Sequence, residues 1–280
     1  MTYPKNILLC ADDFGLSEGV SQGIIQLVQL QRISVASCMA NSPYFAEQSK
    51  YLSNLHDHAK FGLHFNLTEG AFLSASTSIG YSLQTLLFKA HARMLDVQFI
   101  AKELRAQFEC YVDLVGKFPS FIDGHQHVHQ FPQIREVLLQ FYEEKLKGSG
   151  VYIRSTYPAV NLAKYSLKTK VLAFTGGKIL QSKLKKGFIP HNQCFAGIYD
   201  FSEQANYRNL FRQWLAAAPD DTLIMCHPAQ DSSGVVEHAT TRKHEFDYFT
   251  SDDFLNDCAE FQIQLSTRPK SRNNEVVHSN

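Results

Sequence analysis

The 280-residue chain has no excess of charge, since 27 basic residues balance 27 acidic ones. No global field therefore steers it toward nucleic acid or an anionic membrane. No stretch approaches the roughly 20 apolar residues of a membrane span. Met1 to Asn6 runs directly into Ile7-Leu8-Leu9-Cys10-Ala11, an apolar run too short for a secretory signal core. The expectation is a cytoplasmic protein. The six cysteines (Cys10, Cys38, Cys110, Cys194, Cys226 and Cys258) include no CxxC pair, which argues against a zinc ribbon or a disulfide framework and for a reducing compartment. GxSxG and Walker sequences are absent as well, so neither a serine-hydrolase elbow nor a P-loop is encoded. There is no internal repeat and no low-complexity tract.

What is present is an ordinary globular balance, 44% hydrophobic and 19% charged, at a length suited to one β/α barrel. Short apolar runs alternate with longer amphipathic ones. The runs predict strands over Ile7–Ala11, Ile33–Ala40, Phe61–Asn66, Ser120–Asp123, Val151–Arg154 and Thr222–Cys226, with weaker ones at Gly187–Pro190 and Phe261–Leu265. Several are apolar throughout, as strands covered on both faces are. Helical spacing predicts a helix after Ser17 carrying Val20, Ile24, Leu27 and Leu30. A second runs from Val97 to Val115, stopped by Gly116 and Pro119. A third opens at Pro132 and ends at Gly148, and a fourth spans Ser202–Ala217. Gly70 to Met94, rich in Ser, Thr and Gly, reads as a long loop over the site. The expectation is one α/β domain over residues 1–265, a closed or nearly closed barrel with an open doubly wound sheet as the alternative. Residues 266–280 read as a polar, frayed tail.

The chemistry falls on strand ends. Asp12-Asp13 follow the first strand and His64 ends the third. Asp123-Gly-His125-Gln-His127-Val-His129 follow the fourth, Arg154 ends the fifth and His227 the seventh. In parallel β/α folds these ends open into one shared mouth, where active sites are built. Singly, Asp12-Asp13 reads equally well as a turn and a helix cap, and His64 as a structural histidine. In an extended segment Asp123, His125, His127 and His129 would share one face, and neutral imidazole is the commonest metal ligand. A carboxylate with two imidazoles suits Zn²⁺, Mn²⁺, Co²⁺ or a similar ion. Adjacent aspartates can then divide the labour, one holding metal and one free as a base.

Four ordered motifs, Ala11-Asp12-Asp13-Phe14-Gly15-Leu16-Ser17, Gly62-Leu63-His64-Phe65-Asn66-Leu67-Thr68-Glu69-Gly70, Asp123-Gly124-His125-Gln126-His127-Val128-His129 and Met225-Cys226-His227-Pro228, resemble those of the YdjC-like carbohydrate deacetylases, the ChbG/HpnK group. Cys194 to Phe201 resembles a stretch of one branch. The resemblance implies a deformed (β/α) TIM-like barrel related to the NodB-type polysaccharide deacetylases, often homodimeric, with a divalent metal such as Mg²⁺ or Zn²⁺. It implies removal of an acetyl group from a chitooligosaccharide or from an N-acetylglucosaminyl glycolipid such as a hopanoid. By position, Asp13, His64 and His125 correspond to metal ligands, with His127 and His129 as further candidates. Asp12 corresponds to the general base, His227 to the general acid and Arg154 to an orienting residue. Cys10 stands where relatives often carry Asn, a departure expected to alter packing. A metal phosphoesterase or other amidohydrolase, and a non-catalytic metal- or sugar-binding protein, are the competing readings.

Seven lysines from Lys164 to Lys186 occur with no acidic residue between Ser155 and Tyr199. A solvated helix face explains them; the functional alternative is weak contact with an anionic membrane surface.

Overall fold

The structure, a computed structural model, describes residues 4–75, 79–231 and 236–270. Among the described residues the strands are β1 Lys5–Phe14, β2 Val35–Cys38, β3 Lys60–Phe65, β4 Phe121–Gly124, β5 Tyr152–Ile153, β6 Cys194–Ala196, β7 Thr222–Cys226 and β8 Ile263–Leu265. The helices are α1 Glu18–Gln29, α2 Pro43–Gln48, α3 Leu83–His91, α4 Val97–Val115, α5 Ile134–Phe141, α6 Ser166–Leu172, α7 Lys178–Lys186, α8 Tyr207–Ala217, α9 Ala239–Thr250 and α10 Asp252–Glu260. All strand pairings between them are parallel, in the order β5-β4-β3-β2-β1-β7-β6, with β8 beside the start of β1. The sheet curls until its edges meet. Beyond β5, Ala159 bridges Phe195 of β6, and the Ile153 amide donates to the Pro190 carbonyl at 3.0 Å. The expected deformed β/α barrel is the fold observed.

Strand alternation divides the apolar residues into two cores. Ile7, Leu9, Ala36, Phe61, Leu63, Ile122 and Ile224 face outward against the helices. Leu8, Cys10, Val35, Phe121, Tyr152, Phe195, Leu223 and Met225 fill the barrel interior. At the same level β3 supplies Gly62, where an added Cβ would lie 2.5 Å from the Phe121 ring. Phe121 occupies that space and stacks on Tyr152 with centroids 5.0 Å apart. One step further along β1 to β5 and β7 the inward positions turn polar, and these are the site residues described below.

The helices follow their local signals. Ser17 Oγ accepts from the Val20 amide at 3.2 Å and starts α1. Asp96 caps α4 through the Gln98 and Phe99 amides, and Gly116 ends it at φ 74°. Elsewhere the structure departs from the expectation. Gly187–Pro190 is no strand, because Gly187 ends α7 and Phe188 is solvent-exposed; pairing begins only at Cys194. The span from Gly70 to Met94 holds α3, since Ser82, one of its hydroxyl residues, is a helix cap accepting from the Thr85 amide. The third helix starts after Gln133, which forms a capping box with Glu136, and continues as a π-helical turn to Leu146. The fourth starts at Tyr207, because Asn206 supplies its cap. Of the expected tail, residues 271–280 lie outside the described residues. Among the described residues no helix is long and apolar enough to cross a membrane.

Candidate metal and catalytic site

Asp12 and Asp13 are neighbours, so a regular strand would send them to opposite faces. The strand is not regular there. Its register with β2 shifts between Ala11 and Phe14, and Asp13 takes φ 72°. This bulge turns both carboxylates into the barrel mouth, the kind of re-aiming that bulges near sites provide. Both side chains are buried.

Asp13 gathers the expected partners. Asp13, His64 and His125 bring one ligand atom each to within 4.8 Å of one another. Asp13 Oδ1 lies 2.9 Å from His125 Nδ1 and 3.3 Å from His64 Nε2. His64 Nδ1 donates to Asp123 Oδ1 at 2.6 Å, and the Ser37 hydroxyl donates to the same oxygen at 2.5 Å. With its Nδ1 proton engaged, His64 aims Nε2 at Asp13 Oδ1. Two acceptors facing each other require a cation between them. In the metal-free protein that is a proton: burial opposes it, but the Asp123 carboxylate beside the ring raises His64 to about 10. A carboxylate backing an imidazole, with the far nitrogen joined by a second imidazole and a carboxylate oxygen, is also the donor set of a divalent metal. The residues present fit that group.

Asp12 has a different neighbour. Arg154 reaches in from the end of β5 and donates to both of its oxygens, at 2.6 Å each. The same guanidinium lies 2.5 Å from Asp123 Oδ2 and 2.9 Å from the Cys10 sulfur. Burial alone would raise Asp12, but the Arg154 guanidinium holds it well below the usual carboxylate range. Cys10 does more than fill space, since its thiol also lies 3.3 Å from Asp12 Oδ1. His227, at the end of β7, places Nε2 4.0 Å from Asp12 Oδ2. Burial pushes His227 down to about 4, against the pull of Asp13 and Asp12, so it is neutral near pH 7.

The histidine run does not lie extended. Gln126 and His127 have φ of 52° and 59°, which fold residues 125–130 into a tight turn. Gly124 permits this, because a Cβ there would sit 2.8 Å from the His129 amide nitrogen. Only His125 reaches Asp13. His127 packs edge-on against Phe195 at 5.4 Å, and His129 Nε2 bonds the Arg154 carbonyl at 3.2 Å. Neither joins the Asp13 group.

Two residues escaped the sequence reading, both on α9. Arg242 donates to Asp13 Oδ2 at 2.7 Å. Glu245 accepts from the His227 amide at 2.6 Å and from the Tyr199 hydroxyl, and burial pushes its carboxyl up to about 7. No strand-end position marks them. Ser37 was within reach of the pattern, as a hydroxyl two residues past inward-facing Val35.

Asp12, Asp13, His64, His125, His227 and Arg242 line one cavity of about 570 Å³. Phe201 and His238 stack in its wall with centroids 4.6 Å apart, and Glu69 stands at the rim, 4.0 Å from His125 Nε2.

Residues 6–260 match the sequence model of the family described as YdjC-like protein. A chitooligosaccharide deacetylase of Serratia marcescens is 37% identical over 235 residues, covering 80% of this chain and 82% of that protein. A chitooligosaccharide deacetylase of Yersinia enterocolitica is 35% identical over 145 residues, 50% of this chain, and the match spans only 57% of that relative's length. Among solved structures, a protein of Enterococcus faecalis provisionally named for cellobiose-phosphate cleavage superposes with a TM-score of 0.69 at 19% identity, covering 94% of this chain and 97% of that one. The Bc1960 peptidoglycan N-acetylglucosamine deacetylase superposes with a TM-score of 0.50 at 11% identity, covering 94% and 88%. Both structural likenesses concern the fold. On the match that runs through nearly all of its strands and its four motifs, the chain belongs to the YdjC-like family.

Proposed function

We propose that the protein is a carbohydrate N-deacetylase, hydrolysing the acetamide of an N-acetylated sugar to acetate and an amino sugar, with a divalent cation held by Asp13, His64 and His125. The observation that carries this reading is the bulge at Asp13, which sets two chemically identical carboxylates side by side in one cavity with different partners. The relatives named chitooligosaccharide deacetylase support a chitooligosaccharide as substrate; an N-acetylglucosaminyl glycolipid presents the same acetamide. A cavity of about 570 Å³ suits a ligand of one or two sugar rings.

A divalent cation at Asp13 supplies carbonyl polarisation and acidified water. Asp12 is the base that takes the proton of the attacking water. Arg154 bonds both its oxygens, so the carboxylate is oriented and remains charged throughout the working pH range. His227 carries a proton to the sugar nitrogen, which leaves poorly without one. It is neutral in the free protein, so the proton it delivers is the one Asp12 has taken from the water, passed from Asp12 Oδ2 to the nearby His227 Nε2, and Asp12 is returned to its charged form. Glu245 fixes the backbone of His227, and Arg242 fixes Asp13 from the side opposite the histidines.

The test is acetate release from N,N′-diacetylchitobiose by metal-stripped and metal-restored protein, with phosphate release from generic esters as the competing assay. Asp13→Ala should lose metal binding and activity together. Asp12→Asn should keep the metal, measured by calorimetry, and lose about 10²–10⁴ in rate, the usual scale of a general base. Full activity in metal-loaded Asp12→Asn would remove Asp12 from its role.

A further inference from the structure

Between β5 and β6 the chain forms an arm of α6, a π-helical turn over Ala173–Gly177, and α7. Its inner side is well anchored. Thr169, Leu180 and Leu184 are buried, and Gln130 Nε2 donates to the Leu172 carbonyl at 3.0 Å and to Thr175 Oγ1 at 2.9 Å. Gly176 presses so closely on the Gln130 carbonyl that a Cβ there would fall 1.9 Å from its oxygen. Gln130 closes the turn that begins with His125, and Lys168 Nζ donates to the Tyr199 carbonyl near the cavity wall. The arm therefore sits beside the mouth of the site.

Its outer side is unusually apolar for an exposed surface. Leu167, Val171 and Phe174 recur at helical spacing with 73%, 52% and 84% of their surface exposed, and Phe188, just past α7, is 91% exposed. Scattered exposed hydrophobics are ordinary, but these lie in the segment with seven lysines and no acidic residue. Lys164 and Lys183 approach Asp200 and Glu136 at 3.5 and 3.9 Å. Among the described residues, Lys170, Lys178, Lys185 and Lys186 are exposed with no acidic partner within bonding distance. In a chain of zero net charge this concentration is local.

We propose that this arm is a docking surface for an anionic lipid bilayer, with Phe174 and Phe188 entering the headgroup boundary and the unpaired lysines meeting lipid phosphates. Aliphatic and aromatic side chains flanked by lysines are the composition of interfacial helices. Charge decides the occupant: pairing this face with itself in a second copy would set lysines against lysines, whereas an anionic surface complements them. Docking would hold the cavity mouth at headgroup height, where an N-acetylated sugar borne on a lipid is within reach. That last step rests on the deacetylase reading; the docking itself does not.

Vesicle sedimentation tests it, with phosphatidylcholine alone and with phosphatidylglycerol as about a third of the lipid. The protein should partition onto the anionic vesicles, lose that partition at high salt, and stay in solution with neutral ones. Phe174→Ser/Phe188→Ser and Lys185→Glu/Lys186→Glu should each lower binding at least tenfold, given about fivefold per lysine near such a surface. Both should leave acetate release from a soluble chitooligosaccharide unchanged. Partition that ignores lipid charge, binding unmoved by both variants, or no binding at all would overturn the proposal. So would a dimer in light scattering that Phe174→Ser/Phe188→Ser splits, because the face would then be a contact between copies. Vesicle binding is read without substrate, so its failure is separate from any failure of acetate release.

Discussion

Arg242 offers the sharpest test of the Asp13 site, because its effect should depend on whether a cation is bound. The guanidinium and the Asp13 carboxylate are both buried, 2.7 Å apart. Arg242→Met keeps most of the side-chain volume and removes the charge. Deleting one partner of a buried pair costs up to about 3–5 kcal/mol, and Asp13 is left with protonated His64 as its remaining counter-charge. At roughly 2 °C per kcal/mol for a chain of this size, the melting temperature should fall by up to about 6–10 °C in chelator. A divalent cation on Asp13 returns a counter-charge, and without Arg242 it meets one positive neighbour fewer. Saturating Zn²⁺ or Mg²⁺ should thus close most of the gap, and calorimetry should show tighter metal binding to Arg242→Met than to wild type. Arg242→Lys, which keeps the charge, should fall between them. Differential scanning fluorimetry with and without metal reads this directly. A melting gap of the same size in chelator and in metal would mean that Arg242 merely packs, and would detach Asp13 from any cation.

His129 should impose a pH dependence on stability. Burial pushes it from 6.5 down to about 4, so the fold holds it neutral while the unfolded chain protonates it. Its stabilisation is complete above 6.5 and is lost as pH falls toward 4, by up to about 3 kcal/mol at roughly 1.4 kcal/mol per unit. Urea titrations should therefore show wild type losing more stability than His129→Asn between neutral pH and pH 5; parallel losses would disprove the assignment. Gly62→Ala should destabilise by about 1–3 kcal/mol, because its Cβ would stand 2.5 Å from the Phe121 ring. Phe121→Leu in the same chain should recover about 1 kcal/mol of that, and strict additivity in the double variant would show that the two positions do not share space.

The fold was readable where one rule sufficed. β7 lies over the expected residues, and β1 and β3 lie close to them, because a strand covered on both faces must be apolar throughout, and few other segments are. The placement of Asp12, His64, Asp123, Arg154 and His227 followed from that pattern and from the parallel order of the strands. What failed was whatever depends on a local exception. Asp12 and Asp13 do meet at one mouth as expected, but through φ 72° at Asp13, since regular alternation would send them to opposite faces. Alternation also predicts that His125, His127 and His129 converge, and the left-handed pair Gln126 and His127 separates them. β6, with three residues, carries too little pattern to register, and neighbouring Gly187–Pro190 looked equally apolar. Arg242 and Glu245 were invisible for a related reason. On a helix, a polar residue turned inward to a carboxylate or an amide has the same one-dimensional signature as one turned to water.

That blind spot lies at the centre of how the site works. Asp12 and Asp13 are the same residue type, one position apart, and nothing intrinsic distinguishes the metal-holding and proton-taking roles proposed for them. Their partners do. Arg154, from β5, occupies both oxygens of Asp12 and leaves it next to His227. Arg242, from α9, occupies one oxygen of Asp13 and leaves the other to His64 and His125. Environments that set paired carboxylates apart are how one site runs two chemistries. Here the second environment comes from a helix that follows β7 in the chain and is no part of the strand ends. The same helix, through Glu245, holds the amide of His227. Three groups, Asp13, the His227 backbone and the buried Tyr199 hydroxyl, are thereby fixed relative to one another by two side chains one turn apart on α9. On the proposed mechanism, a displacement of α9 would therefore disturb metal retention and proton transfer together, whereas changes at Arg154 would act on the Asp12 side.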